Sequence, residues 1–206
     1  MIFATPIRIA RLAADIAFGY GGAMSNAKRF RAACAAGCFG IFLGIGSVAI
    51  AEGATDAATP ERIGGAKRWD AYSYSDKGAK VCYLLGRPEK SEPANVKRGR
   101  VDAMITHRPK EKSLNVVNFD VGYPLKPDTN ADLEVDEHKF SLFADKDAAW
   151  APDAATDKAV TEALAKGKRA VLKASSARGT ATTDIYSLDG LKEALAAIDK
   201  ACGVKR

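Results

Sequence analysis

Between residues 69 and 143, short runs of apolar residues alternate with polar residues and are separated by turn residues. Val81, Tyr83 and Leu85 would share one side of an extended chain, and Cys82 would lie on the other side. The runs that predict strands are 69–74, 80–85, 101–107, 114–119, 121–125, 133–135 and 140–143. Short strands at this spacing are typical of a sandwich or a barrel.

The hydrophobic period changes after Pro152. Residues 153–166 are rich in alanine and end at Gly167, which predicts a short amphipathic helix. Two further strands are predicted at 170–174 and 181–186. Near the C-terminus, apolar residues recur at steps of three and four, which predicts a helix with one face toward a core. They are Leu188, Leu191, Leu195, Ile198 and Cys202.

The predicted C-terminal helix has signals at both ends. Ser187 is the expected N-cap, and Gly203 is the expected stop. The fold class is therefore mainly β: an antiparallel β-sandwich-like single domain with one short helix and a C-terminal helix, over residues 68–206. Residues 52–67 are small and polar, and they are predicted to be a flexible lead-in.

The first quarter of the chain has the features of a targeting segment. Lys28, Arg29 and Arg31 precede an uncharged apolar stretch that ends in Ala49-Ile50-Ala51. This order predicts a signal peptide over residues 24–51, with cleavage after Ala51. The alternative is an uncleaved transmembrane anchor. Residues 1–23 are interpreted as an over-extension of the reading frame, with Met24 as the true start of translation.

The formal net charge of +6 comes largely from this leader. Five of the 31 basic residues and one of the 25 acidic residues precede residue 52, which leaves a nearly neutral domain. A neutral domain lacks the electrostatic footprint that nucleic-acid binding requires. We therefore predict no nucleic-acid partner.

The four cysteines are likewise divided between the leader and the domain. Cys34 and Cys38 would leave with the leader, and the remaining domain keeps Cys82 and Cys202. In an exported domain such a pair most simply forms one disulfide. Two buried free thiols and a cysteine–histidine nucleophile are the alternatives.

Few residues could carry chemistry. His107 and His138 are the only histidines, and no spacing in the domain is typical of a zinc site, so no metal, cofactor or catalytic residue is predicted. The alternative function is a periplasmic hydrolase that uses the Ser175–Thr180 region, which otherwise forms a turn around Gly179. Trp69 and Trp150 are both expected in the core.

A basic cluster lies in the proline-containing loop before the third predicted strand. Lys97, Arg98 and Arg100 surround Gly99. The cluster could bind an anionic ligand, but we interpret it as a solvated loop.

Several short segments follow one another along the chain in an order that is typical of one family. They are Trp69, Val81-Cys82-Tyr83-Leu84 leading to Pro88, Gly122-Tyr123, Phe140 with Leu142-Phe143, Ala149-Trp150-Ala151, Arg178-Gly179-Thr180, Tyr186-Ser187-Leu188, Gly190, Ala194-Leu195 and Cys202. In these positions the domain resembles the invasion-associated locus B family of exported proteins of Gram-negative bacteria. The resemblance implies an exported β-sandwich-like domain of the cell envelope. The family's namesake is associated with entry into host red cells, so the resemblance implies such a role. The resemblance supplies no catalytic residues.

Together, these observations predict a non-enzymatic envelope protein that acts by binding or by supporting the envelope. Its partner would be an unknown protein or envelope component, with no small-molecule cofactor. We expect the protein in the periplasm or associated with the outer membrane. Any membrane association would come through the envelope or through an uncleaved leader.

Overall fold

Eleven antiparallel strands form one sheet in the computed structural model, which describes residues 58–206. The strands are β1 (Glu61–Ala66), β2 (Trp69–Asp76), β3 (Ala79–Gly86), β4 (Lys90–Glu92), β5 (Asp102–Arg108), β6 (Ser113–Asp120), β7 (Asn130–Val135), β8 (His138–Asp145), β9 (Ala148–Trp150), β10 (Arg169–Ser175) and β11 (Ala181–Ser187). A 3-10 helix, Pro109–Glu111, joins β5 to β6. Helix α1 (Ala154–Lys166) follows β9, and helix α2 (Leu191–Cys202) follows β11. The predicted start, signal peptide and cleavage after Ala51 lie outside the described residues.

The sheet has the strand order β1-β2-β3-β5-β6-β9-β8-β7-β10-β11-β4. Trp69 of β2 nevertheless contacts β11, because its indole N–H donates to the carbonyl oxygen of Ser187 at 2.9 Å. Its ring centroid also lies 6.5 Å from that of Tyr186. Strands so far apart in the order can meet only if the sheet folds over, so its two halves face each other across one core.

The predicted fold class is confirmed: the domain is mainly β and antiparallel, with a short helix and a C-terminal helix. The two layers of the expected sandwich are the two halves of a single sheet. Fully buried side chains come from both halves, and they include Leu84, Ile105, Phe119, Leu133, Leu142 and Leu172. Neither helix within residues 58–206 is long and apolar enough to cross a membrane.

Helix α1 fills the gap beside the short strand β9. The side chain of Asp153 caps its N-terminus by accepting a hydrogen bond from the Thr156 N–H at 2.7 Å. Val160 and Leu164 bury one face of the helix in the core. The exposed edge of β6 beyond β9 is thereby covered.

The start of α2 differs from the prediction. Ser187 is the last residue of β11, and Gly190 occupies the N-cap with φ of 92°. A Cβ at Gly190 would lie 2.3 Å from the carbonyl oxygen of Ala66. The chain must turn sharply between β11 and α2 against a neighbouring backbone, and only glycine fits there.

The expected flexible lead-in is also wrong in its second half. Residues 61–66 form the edge strand β1, which pairs with β2. The Gly64-Gly65 pair serves close packing rather than flexibility, because a Cβ at Gly64 would lie 2.9 Å from that of Ala197 in α2. Residues 52–57 of the lead-in lie outside the described part of the chain.

Candidate functional site

A disulfide fixes the C-terminal helix to the sheet. It joins Cys82 of β3 to Cys202 at the end of α2, with 6.1 Å between their Cα atoms and 120 positions between them in sequence. Cys82 points into the core, as Leu84 does. The two sulfur atoms are therefore bonded to each other, and neither is a free nucleophile.

A polar cluster beside the disulfide holds the same helix. The buried ring of His107 accepts a hydrogen bond at Nδ1 from the Asn115 N–H, at 3.0 Å. Its Nε2 must then carry the proton, and it donates to Asp199 Oδ1 at 2.9 Å. Arg206 bridges Asp199 Oδ2, at 2.6 Å, and Asn115 Oδ1, at 2.8 Å.

The histidine of this cluster is not free to react. Burial lowers the pKa of His107 below its ordinary value, although the hydrogen bond to Asp199 acts in the opposite direction. The imidazole is neutral, and both of its nitrogens are engaged. A cysteine–histidine nucleophile is therefore wrong for Cys82 and Cys202, and the cluster is a structural lock on α2.

An ion pair fastens the loop between β4 and β5. The side chains of Arg98 and Asp184 are only 7% and 1% exposed, and Arg98 Nη1 donates to Asp184 Oδ2 at 2.9 Å. Ser91 Oγ donates to Asp184 Oδ1 at 2.6 Å. The guanidinium carbon of Arg98 lies 6.0 Å from the ring centroid of Tyr123. The interpretation of this loop as solvated is therefore wrong at Arg98.

The neighbouring arginines are also engaged. Asp102 is buried at the start of β5, and its Oδ2 lies 2.5 Å from Nε of Arg100. Arg87 Nε lies 3.7 Å from Oδ1 of the same carboxylate. Burial raises the pKa of Asp102, although the two arginines oppose this effect. Arg98 and Arg100 thus neutralise internal carboxylates, and the geometry does not favour an anionic-ligand site there.

The Ser175–Thr180 region is a turn at the tip of the β10–β11 hairpin. Ser176 Oγ accepts a hydrogen bond from the Thr180 N–H at 3.1 Å, and Gly179 has φ of 83°. His138 lies beyond the other end of β10, because it pairs with Val135, which pairs with Ala170. The length of strand β10 separates the two regions, about 17 Å at 3.3–3.4 Å per residue.

The other histidine, His107, is bonded within the lock described above. Neither histidine therefore lies near the proposed nucleophiles, and the structure does not support the hydrolase alternative. In the described part of the chain, no group of three or more histidine, cysteine, aspartate or glutamate side chains is arranged to hold a metal.

The most distinctive surface is the outer side of the sheet from β2 to β8. The pairing register places Tyr72 beside Tyr83, Leu85 beside Met104, and Trp150 beside Phe143. Directly paired residues share a face, and all six are half-buried. We call this surface the aromatic face; with Tyr74 its members are Tyr72, Tyr74, Tyr83, Leu85, Met104, Phe143 and Trp150.

The tyrosines of the aromatic face form a packed group. The rings of Tyr72 and Tyr83 stack with centroids 5.3 Å apart, and Tyr74 meets Tyr83 edge-on at 6.1 Å. Burial in this group raises the pKa of Tyr83, with smaller contributions from Tyr72 and Tyr74. Trp69 is in the core as expected, but Trp150 is only half-buried on this outer face.

The comparisons with known proteins give one match. A family model described as "Invasion associated locus B (IalB) protein" matches residues 69–199, well over half of the chain. No curated protein and no solved structure matches.

Proposed function

The chain belongs to the invasion associated locus B (IalB) family, and we propose that it is an exported protein of the bacterial cell envelope that acts by binding rather than by catalysis. The observation that carries this proposal is the disulfide between Cys82 and Cys202. Disulfides persist in oxidising compartments such as the periplasm and are rare in the cytosol.

The sequence before the domain supports the same compartment. A basic segment, an apolar stretch and an Ala-x-Ala site follow one another in the order of a signal peptide. Cleavage after Ala51 would release a domain that begins shortly before β1. The arrangement of polar groups supports binding rather than catalysis, because the buried His107 and the buried Asp184 are hydrogen-bonded to side chains of other parts of the chain.

Cell fractionation with protease shaving tests this proposal. Intact cells are treated with protease, and the domain is followed by immunoblotting beside one periplasmic and one cytoplasmic control protein. The N-terminus of the purified protein is read by mass spectrometry. We expect a chain that begins at Glu52 and that fractionates away from the cytoplasmic control. A variant with Ala51→Arg should keep its leader, because a large charged side chain does not fit the small-residue cleavage site.

The shaving pattern then separates two envelope roles. If protease cuts the domain while the periplasmic control survives, the protein is surface-exposed, and a search for host-cell ligands of an adhesin is justified. If the domain survives until the outer membrane is opened, its partner lies in the periplasm. Recovery of an unprocessed chain with reduced cysteines in the cytoplasm would reject export.

A further inference from the structure

We propose that residues 199–206, the last turn of α2 and the C-terminal segment, form a latch that opens when the disulfide is reduced in an acidic medium. The latch is fastened to the sheet at two adjacent points. One is the disulfide between Cys82 and Cys202, and the other is the hydrogen bond between His107 and Asp199. This inference does not depend on export or on the cellular role.

The two fastenings are neighbours on both of the elements that they join. Cys82 of β3 and His107 of β5 pair directly across the two strands, and both side chains are fully buried. On α2, Asp199 and Cys202 are three positions apart, so they lie on the same side of the helix. Cys202 Sγ also lies 3.9 Å from the carbonyl oxygen of His107. The disulfide therefore holds Asp199 beside the imidazole, and each fastening raises the effective concentration of the other.

The latch has little apolar anchorage of its own. All buried residues of α2 precede it: they are Leu191, Ala194, Leu195 and Ile198. Within the latch, Ala201 and Cys202 are only partly buried. Segments with few buried apolar contacts open locally at a lower free energy than the whole domain unfolds. We therefore expect the latch to detach while the earlier turns of α2 stay in place.

Reduction removes the first fastening. Cys82 is fully buried and Cys202 only partly so, which favours attack by a thiolate of a dithiol reductant on Cys202 Sγ. The bond between the two protein sulfurs breaks, and Cys82 leaves as a thiolate. The second thiol of the reductant then displaces Cys202. Two electrons and two protons pass to the cysteines, which become thiols, and the reductant becomes a disulfide.

Proton uptake by His107 removes the second fastening. In the closed latch its Nδ1 accepts a hydrogen bond from the Asn115 N–H, so the ring cannot take another proton without losing this bond. Among the described residues, the charged groups that face the imidazole are Asp199 of α2 and Arg206 of the C-terminal segment. The other groups packed against it, Asn115 of β6 and the disulfide, carry no charge.

The sign of the pH dependence follows from the burial of the ring. Burial lowers the pKa of His107 below 6.5 in the closed latch, and the hydrogen bond to Asp199 only partly offsets this. An open latch returns the ring to water, so the open state binds the proton more tightly than the closed state does. The fastening is therefore complete above pH 6.5 and weakens as the pH falls below that value. With the disulfide intact, the covalent bond still keeps the latch closed in acid.

Hydrogen exchange measured by mass spectrometry tests the latch. The protein purified from cells is compared in its oxidised form and after reduction with dithiothreitol, at pH 5.0 and pH 7.5, with rates corrected for the intrinsic effect of pH. Peptides that cover residues 199–206 contain the Val204 N–H, which donates to the Asp199 carbonyl oxygen at 2.9 Å. They should stay protected in the oxidised protein at both pH values. In the reduced protein, their opening equilibrium should rise by up to about 30-fold from pH 7.5 to pH 5.0, tenfold for each pH unit below 6.5.

Three variants identify the titrating group. Reduced His107→Gln should open equally at both pH values, because glutamine does not titrate. The matched control is His138→Gln at the exposed start of β8, which should keep the pH dependence of the wild type. Asp199→Asn weakens the same fastening without changing the buried ring, so its reduced form should open more than the wild type at pH 7.5.

Peptides from β3 and β5 show whether the rest of the domain stays folded. A latch that remains protected after reduction at pH 5.0 overturns the inference. So does a pH dependence that His107→Gln retains or that His138→Gln abolishes. Loss of protection across the whole domain on reduction also overturns it, because the disulfide would then hold the entire fold rather than a latch.

Discussion

Replacement of Asp157 by asparagine should stabilise the domain at neutral pH. Asp157 lies in the first turn of α1, and its Oδ1 accepts a hydrogen bond from the Val117 N–H at 2.7 Å. Burial raises the pKa of this carboxyl to about 6, against a smaller opposing effect of the Val117 hydrogen bond. Asparagine has the same shape and keeps an acceptor for Val117, but it carries no charge that burial could penalise.

The sign of the pH dependence follows from the raised pKa. Between the ordinary aspartate value of 3.8 and about 6, the folded state binds more protons at Asp157 than the unfolded state does. The contribution of this residue to stability is therefore largest at low pH and falls as the pH rises through this window. A shift of about two units corresponds to about 3 kcal/mol above pH 6, and solvent screening and helix-dipole effects reduce this to about 1–3 kcal/mol.

Urea unfolding at pH 4.5 and pH 7.5 measures the effect. The difference in unfolding free energy between Asp157→Asn and the wild type should be small at pH 4.5 and should reach about 1–3 kcal/mol in favour of the variant at pH 7.5. Asp157→Ala should be less stable than Asp157→Asn at both pH values, because it leaves the Val117 N–H without an acceptor. Asp128→Asn, at an exposed turn, is the matched control. A variant that is no more stable than the wild type at pH 7.5 would refute the reasoning.

Three further predictions concern the locks. Cys82→Ala and Cys202→Ala should each lower the unfolding free energy by up to about 5 kcal/mol, the chain-entropy value for a loop of this length. In urea unfolding, the double variant should be no less stable than either single variant. Additive losses would contradict a shared bond. Burial keeps His107 neutral with a lowered pKa, so its contribution should be complete above pH 6.5 and be lost as the pH falls below that value. Stability curves of the wild type and His107→Gln should converge in acid, and parallel curves would contradict this. Asp184→Ala should lower the unfolding free energy by about 3–5 kcal/mol, because it leaves Arg98 buried and unpaired. Adding Arg98→Met to the same chain should recover part of this loss. Thermal melts that show no recovery would exclude the ion pair as the cause.

Local signals predicted most of the elements. The alternation over 101–107 corresponds to β5, and the alanine-rich run at 153–166 corresponds to α1. The strands β4 and β9 were missed because three residues are too few to show a period. The strand predicted at 121–125 is wrong. It is an irregular segment with one isolated bridge at Leu125, and its backbone bonds go to several partners.

The locks could not be predicted because their partners are distant in sequence. Arg98 and Asp184 are 86 positions apart, and His107 and Asp199 are 92 apart. Nothing near Arg98 in the sequence distinguishes it from its exposed neighbour Lys97. Arg98 is buried because β11 pairs with β4, and this pairing exists only in the assembled sheet.

The position of the aromatic face could not be predicted from the sequence either. Alternation indicates that Tyr72 and Ala71 lie on opposite sides of β2, but not which side faces the core. Size alone would place the tyrosines inside. In the structure α2 occupies the inner side of β1 to β3, where Cys82 is bonded to it and Gly64 nearly touches Ala197. Where the helix comes closest to the sheet, Gly64 and its partner Ala71 are small, and the large rings of Tyr72, Tyr74 and Tyr83 lie on the outer side. The disulfide that fixes α2 to the inner side of the sheet therefore also favours the outward position of these rings.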